Sequence, residues 1–244
     1  MERATPKPRV NDTAVARFEA WALPRMAARL PASVTPDRLT AVGLVGALMT
    51  ATGYLLAGRE PAWLWLASAG FVVHWWGDSL DGTLARVRDI RRERYGYFVD
   101  QLADVIAVLL IFSGLGAGGA LRPLLAMGMA LGYLLLFNLV NMVAVARGVY
   151  KISFAGGGPT ELRLMLIVVN TVAWALWPRT FRVAGEAWAP FELFALAAIP
   201  ILLLLFFGSA FREWRLLAAL DPRPAPGTAP GATPADSVAS SRTS

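Results

Sequence analysis

Residues 78–104 read DSLDGTLARVRDIRRERYGYFVDQLAD. Four aspartates, Asp78, Asp81, Asp100 and Asp104, stand here with Gly82, Ala85, Arg86 and Gly96 in the spacing D-x2-D-G-x2-A-R-x9-G-x3-D-x3-D. Asp78 and Asp81 are three residues apart and Asp100 and Asp104 four apart, and both spacings place side chains on one helical face. Gly82 and Ala85 follow on nearly the face of Asp78, and Gly96 lies one turn before Asp100. Their small side chains leave room beside the acids for a bulky ligand. The stretch therefore reads as two facing helices joined by an arginine-rich turn, each presenting an acid pair to the other.

The surrounding chain decides the solvent. Of 244 residues, 56% are hydrophobic and only 16% charged, against about 25% charged in soluble domains. A span needs about 20 predominantly apolar residues. Six segments qualify: 39–57, 62–80, 97–116, 124–146, 162–177 and 191–211, the fifth being the shortest. Short connections make neighbours antiparallel, so the expected fold is all-α, a polytopic six-transmembrane-helix bundle. Residues 1–38 form an N-terminal segment, 39–212 the six-helix domain, and 213–244 a cytosolic end with a disordered tail rich in Pro, Ala and Ser. Residues 14–30 (AVARFEAWALPRMAARL) read as an amphipathic helix lying in the headgroup plane, interrupted at Pro24. No signal-peptide core precedes them, so Met1 is expected to begin the mature chain.

The net charge of +6 does not indicate nucleic acid, because the basic residues are scattered at the ends of apolar runs. They sort by side instead. With the N-terminus in the cytosol, about nineteen of the 23 Lys and Arg residues fall there, leaving Arg59, Arg122, Arg179 and Arg182 outside. An inner membrane of bacterial type is expected, with the acid cluster and both termini cytoplasmic. Trp63, Trp65, Trp174, Trp177 and Trp188 sit near span ends, as an aromatic belt requires. The chain has no cysteine, which excludes disulfides and thiolate metal sites.

Acids inside a bilayer are costly and rare, so four together are a functional feature. Unneutralised, they repel one another. Divalent cations resolve the conflict, and all-oxygen ligands suit Mg²⁺ or Mn²⁺ rather than zinc. Two such ions about 3.5–4 Å apart clamp in-line displacement at phosphorus. Arg86 adds a cation able to grip phosphate in a bidentate fork. Salt bridges between these acids and Arg86, Arg88, Arg91, Arg92 and Arg94 are the plainer alternative.

The full pattern resembles the signature of the CDP-alcohol phosphatidyltransferases, integral membrane enzymes of phospholipid synthesis. The resemblance implies that an acceptor hydroxyl attacks the phosphorus of a CDP-linked alcohol, CDP-diacylglycerol being the expected donor, and that CMP is released. It implies Asp78, Asp81 and Asp100 as metal ligands, with Asp104 near the metals as general base. Gly82, Ala85, Arg86 and Gly96 would form the nucleotide and phosphate surface. A homodimer is expected. Residues 35–40 (TPDRLT) resemble the family's Pro-Asn-x-x-Thr start, with Asp37 in place of Asn; a helix start with Pro36 in its first turn accounts for them equally.

The acceptor end is less determined. Glu161, after the glycine run 156–158, could attract a cationic amino-alcohol, and an uncharged or cationic acceptor is the expectation. Arg147, Lys151 and Arg163 would instead hold a phosphorylated one, or serve as ordinary cytosolic charge. The lone histidine, His74, reads as a hydrogen-bonded interface residue before a metal ligand. Asn138, Asn141 and Asn170 read as interhelical hydrogen-bonding groups. Two other functions compete: a cation transporter using the acids as an ion path, and a catalytically inactive relative serving as a scaffold. The first lacks the inverted repeats and broken helices usual in transporters, and the second is disfavoured by a motif with every position filled.

Overall fold

The computed structural model describes residues 14–147, 158–183 and 185–221. Lys151, the glycines at 156 and 157, and the expected tail from 222 onward lie outside them. The chain divides into two compact units, Met1–Gly208 and Ser209–Ser244.

Seven helices and one hairpin make up the described residues: α1 (Ala14–Arg29), α2 (Pro36–Ala57), α3 (Trp63–Val87), α4 (Glu93–Ala117), α5 (Pro123–Arg147), α6 (Pro159–Leu176), β1 (Phe181–Val183), β2 (Glu186–Trp188) and α7 (Pro190–Leu220). The protein is an all-α polytopic membrane protein. Five helices, α2, α4, α5, α6 and α7, are long and apolar enough to cross a membrane. The second expected span, α3, does not meet that measure, because it carries His74, Asp78, Asp81 and Arg86 as well as four tryptophans. Its polar groups turn inward: His74 and Asp81 are both buried.

The first unit is built on a glycine seam. Gly43 and Gly46 of α2 meet Gly70, His74 and Gly77 of α3 so closely that a Cβ on Gly46, Gly70 or Gly77 would collide with the facing helix. Small residues let two backbones approach in lipid, where packing replaces the hydrophobic drive between helices. Gly114 of α4 meets the Ala51 backbone of α2 in the same way. Thus α3 and α4 both pack on α2, yet hardly touch each other. α6 lies against α3 and α5 against α4. The space between α3 and α4, both resting on α2, is where the ligand cleft is expected.

A buried polar chain fixes the register of three helices. Tyr54 of α2 donates to Asn170 Oδ1 of α6 at 2.9 Å, and Asn170 Nδ2 donates to Ser68 Oγ of α3 at 3.0 Å. Asn141 accepts from Tyr97 of α4 at 3.0 Å, another interhelical bond. Asn138 differs from expectation: its amide reaches only Met142 Sδ, one turn along its own helix, at 3.7 Å.

α1 remains helical through Pro24 rather than breaking there. Its Leu23 and Ala27 are buried with Leu39, Leu80 and Leu84, while Phe18 and Trp21 are exposed. Burial of one face against α3 holds the turn that Pro24 weakens by lacking an N–H. Arg88, just past α3, donates to the carbonyls of Val34 (2.6 Å), Leu30 (2.8 Å) and Pro31 (2.9 Å), so it satisfies chain ends where α1 passes into α2.

Aromatic residues also gather where α3 begins and α6 ends. Trp65 of α3 and Trp174 of α6 meet edge to face at 5.5 Å. The hairpin was not expected from sequence; Gly185 supplies its turn at φ 87°, and Phe181 pairs with Trp188. Arg122 secures it, reaching Glu192 at 3.0 Å, Glu186 at 3.2 Å and the Trp188 ring at 4.2 Å. In the second unit the described residues are the last turns of α7, where the Phe211 and Trp214 rings lie 5.6 Å apart.

Candidate active site

α3 runs seven residues beyond the expected span end at Leu80, so Asp78, Asp81, Gly82, Ala85 and Arg86 all stand on one helix. Asp100 and Asp104 stand on α4, one turn apart, with Gly96 a turn earlier. Asp104 feels the charges of Asp78, Asp100, Asp81 and Arg163, and Asp81 those of Asp78 and Asp100. The four carboxylates therefore share one electrostatic site across the cleft.

Each acid on α3 has a defined partner. Asp81 Oδ2 accepts from Thr40 Oγ1 at 2.6 Å, and its other oxygen meets the Gly82 N–H. Asp78 Oδ2 accepts from Arg163 Nη2 of α6 at 2.6 Å. On the other side Arg163 Nη2 lies 3.2 Å from His74 Nε2, and His74 Nδ1 lies 3.0 Å from the Gly43 carbonyl. A carbonyl only accepts, so Nδ1 carries the proton and Nε2 offers its lone pair to Arg163. His74 is thus an interface histidine that joins α2, α3 and α6.

The positions expected to face the ligand are open. Nothing lies within 4 Å of a Cβ built on Gly96, and one on Gly82 would meet only the end of Arg86, at 3.6 Å. Arg86 Nη2 donates to Thr83 Oγ1 at 2.8 Å, which draws its guanidinium back along α3. Ala85, half-buried, leaves the same side small.

The helix-start reading of residues 35–40 holds. Thr35 caps α2, its Oγ1 accepting from the Arg38 N–H at 3.3 Å, with Pro36 as the first helical residue. Five residues after the cap, Thr40 reaches the acid cluster. Asp37 pairs with Arg92 at 2.7 Å on the exposed surface and so ties the start of α2 to the α3–α4 connection.

At the start of α6, Glu161 Oε2 accepts from the Gly158 N–H at 2.9 Å, half of a capping box; the glycine has no side chain to complete it. Thr160 donates to Glu19 of α1 at 2.7 Å, and Trp75 of α3 donates to the same Glu19 oxygen at 2.7 Å. Arg163, one of the basic residues considered for the acceptor, is bonded to Asp78 of the acid cluster. Arg147 ends α5 and is exposed, and Lys151 is outside the described residues.

Sequence reasoning did not single out two neighbours. The Tyr133 phenol on α5 lies within the fields of Asp104, Arg163 and Asp78. Gln101, next to Asp100, donates weakly to it at 3.5 Å, while its Oε1 is buried without a hydrogen-bond partner. Tyr133 carries no local signal in an apolar run, and Gln101 becomes relevant only through the phase of α4.

The donor set is wholly oxygen and strongly anionic, which suits a hard dication. As placed, no three such side chains among the described residues converge to cage an ion.

Over 87 residues the chain is 36% identical to a phosphatidylinositol phosphate synthase of Cutibacterium acnes, a match covering 36% of this chain and 40% of that protein. The chain therefore spans well under half the length of that relative. The broader match is to the CDP-alcohol phosphatidyltransferase family model, which extends over residues 33–220 and takes in every helix from α2 to α7. On that match, and with the complete aspartate motif gathered on α3 and α4, the chain belongs to the CDP-alcohol phosphatidyltransferase family.

Proposed function

We propose that this protein transfers a phosphatidyl group from CDP-diacylglycerol to the hydroxyl of a phosphorylated polyol, with release of CMP. The observation that supports the reaction class is that Asp78, Asp81, Asp100 and Asp104, from two helices, lie within reach of one another's charge. The relative's name places a phosphate on its product. Arg163 is the cation on α6 that reaches the acids, whereas the Glu161 carboxylate caps its own helix. Both considerations favour an anionic acceptor over the cationic or uncharged one expected from Glu161.

Asp78, Asp81 and Asp100 would hold Mg²⁺ or Mn²⁺, with Asp104 beside them. Such ions, when bound, would neutralise the pyrophosphate and the departing CMP oxygen. Thr40 steadies Asp81 through its 2.6 Å bond, and Gly82 and Gly96 leave the cleft open for the nucleotide. Asp104 takes the acceptor's proton as its oxygen bonds to the β-side phosphorus carrying the lipid. The P–O bond to CMP breaks, and CMP leaves with the electron pair. Arg86 meets phosphate at the cleft mouth. A cytosolic cleft, an interfacial α1 and a homodimeric assembly complete this reading.

The test is to incubate the purified protein with labelled CDP-diacylglycerol and Mg²⁺ against a panel of polyols, polyol phosphates and amino-alcohols. CMP release and a new phospholipid should appear with a polyol phosphate. Turnover confined to serine, ethanolamine or choline would reject the acceptor class. CMP-independent ion uptake in proteoliposomes would reject the transferase.

A further inference from the structure

α1 meets α3 along one row of side chains. Glu19, Leu23 and Ala27 are spaced four residues apart, which puts them one above another on the helix. Leu23 and Ala27 are buried with Leu39, Leu80 and Leu84. Glu19 is the charged member of the row, and it is half-buried. Its Oε1 accepts from Trp75 Nε1 of α3 at 2.7 Å and from Thr160 Oγ1 of α6 at 2.7 Å. One carboxylate oxygen thus joins three helices through two neutral donors.

Each donor stands beside a member of the candidate site. Trp75 precedes Asp78 by three residues, and Thr160 precedes Arg163 by three. Residues three apart are neighbours on a helix surface. The Glu19 bonds and the Arg163–Asp78 bond at 2.6 Å therefore tie the same stretch of α3 to the same stretch of α6. The start of α6 depends on such polar ties, because its fully buried residues, Asn170 and Ala173, both lie in its second half. We infer that Glu19 is a positioning residue for the acceptor: it fixes the first turn of α6 against α3, and so sets where the Arg163 guanidinium stands to meet the acceptor's phosphate. α1 thereby belongs to the acceptor site. This role rests on the phosphorylated acceptor proposed above.

The test separates acceptor binding from the rest of the reaction. The full chain in lipid nanodiscs is assayed for CMP release, with inositol phosphate and glycerol phosphate as acceptor probes. The KM for the acceptor and the KM for CDP-diacylglycerol are measured in turn. Glu19→Ala should raise the acceptor KM about tenfold, the effect of losing a hydrogen bond to a charged group, and leave the donor KM near wild type. Thr160→Val cuts the α6 bond and keeps the side-chain shape. It should raise the acceptor KM alike, and adding it to Glu19→Ala should raise it little further, since both remove one interaction. Glu19→Gln keeps a carbonyl oxygen for both donors and should stay near wild type. A residue that merely braced the fold would lower the active fraction and the thermal midpoint while both KM values held. Should Glu19→Ala fail to fold, Thr160→Val makes the comparison alone. An acceptor KM left at wild type by these variants overturns the positioning role alone, and so does Glu19→Gln behaving like Glu19→Ala. A wild type that releases CMP with neither phosphorylated probe overturns the acceptor reading and this role together.

Discussion

Thr40 shows how much of the site depends on one hydroxyl. Its Oγ1 bonds Asp81 at 2.6 Å, and a hydrogen bond to a charged group contributes about 1.5–3 kcal/mol. Thr40→Val keeps the shape and removes that bond, so CMP release should fall by about tenfold to a hundredfold, while Thr40→Ser should retain most of it. Equal rates for the two variants would remove Thr40 from the site. Asp78→Asn and Asp100→Asn should each abolish CMP release without loss of the folded protein, because the proposed metal clamp would lose a ligand and no longer neutralise the leaving oxygen. Substantial turnover by either at saturating Mg²⁺ would reject the ligand assignment. The acids were legible in the sequence because their spacing carries helical phase. Thr40 was legible only as part of a helix start, since no local pattern shows that the start of α2 lies beside α3.

At the scale of elements, the α2–α3 seam is the feature on which the cleft depends. A Cβ on Gly46 or Gly77 would strike the backbone of the partner helix, and neither backbone can yield without opening the seam. Gly46→Ala and Gly77→Ala should each destabilise the protein by about 1–3 kcal/mol, the usual cost of overpacking, and lower the thermal midpoint in detergent. Gly96→Ala, with nothing within 4 Å, should leave that midpoint nearly unchanged. A common shift in all three would mean that helix propensity, not helix contact, governs these positions. The six long helices were readable from apolar length, with ends off by a few residues. The apolar run alone ended at Leu80, and it was the phase of Asp78, Asp81, Gly82 and Ala85 that carried the helix on toward Val87. The hairpin at 181–188 was missed because three-residue strands carry too little alternation to be seen, though Gly185 marked its turn.

The first unit has a strongly basic end and a far end with fewer charges. Arg38, Arg86, Arg88 and Arg92 lie with the acid cluster and α1, while Arg122, Trp188 and the Trp65–Trp174 pair lie at the far end. The positive-inside bias then predicts a cytosolic active site. The absence of cysteine makes a direct check simple. In right-side-out vesicles, an impermeant maleimide should label Arg182→Cys and spare Ile90→Cys, and inverted vesicles should reverse the result. Labelling of Ile90→Cys from the outside would invert the topology.

The near-separation of α3 and α4 also determines what concentration means for this protein. Both helices rest on α2 and hardly touch, and α4 carries exposed apolar residues, Leu102, Ile106 and Leu109, along the length that borders the acids. In the reaction proposed above, a diacyl chain would lie along such a face with its phosphate at the aspartates, and the water-soluble acceptor would arrive from the end. One substrate is then counted per area of bilayer and the other per volume of water. Diluting the lipid donor with inert lipid at fixed bulk concentration should slow the reaction, whereas adding vesicles of unchanged composition should not. The protein would respond to the composition of its membrane, a two-dimensional variable, before it responds to how much membrane there is.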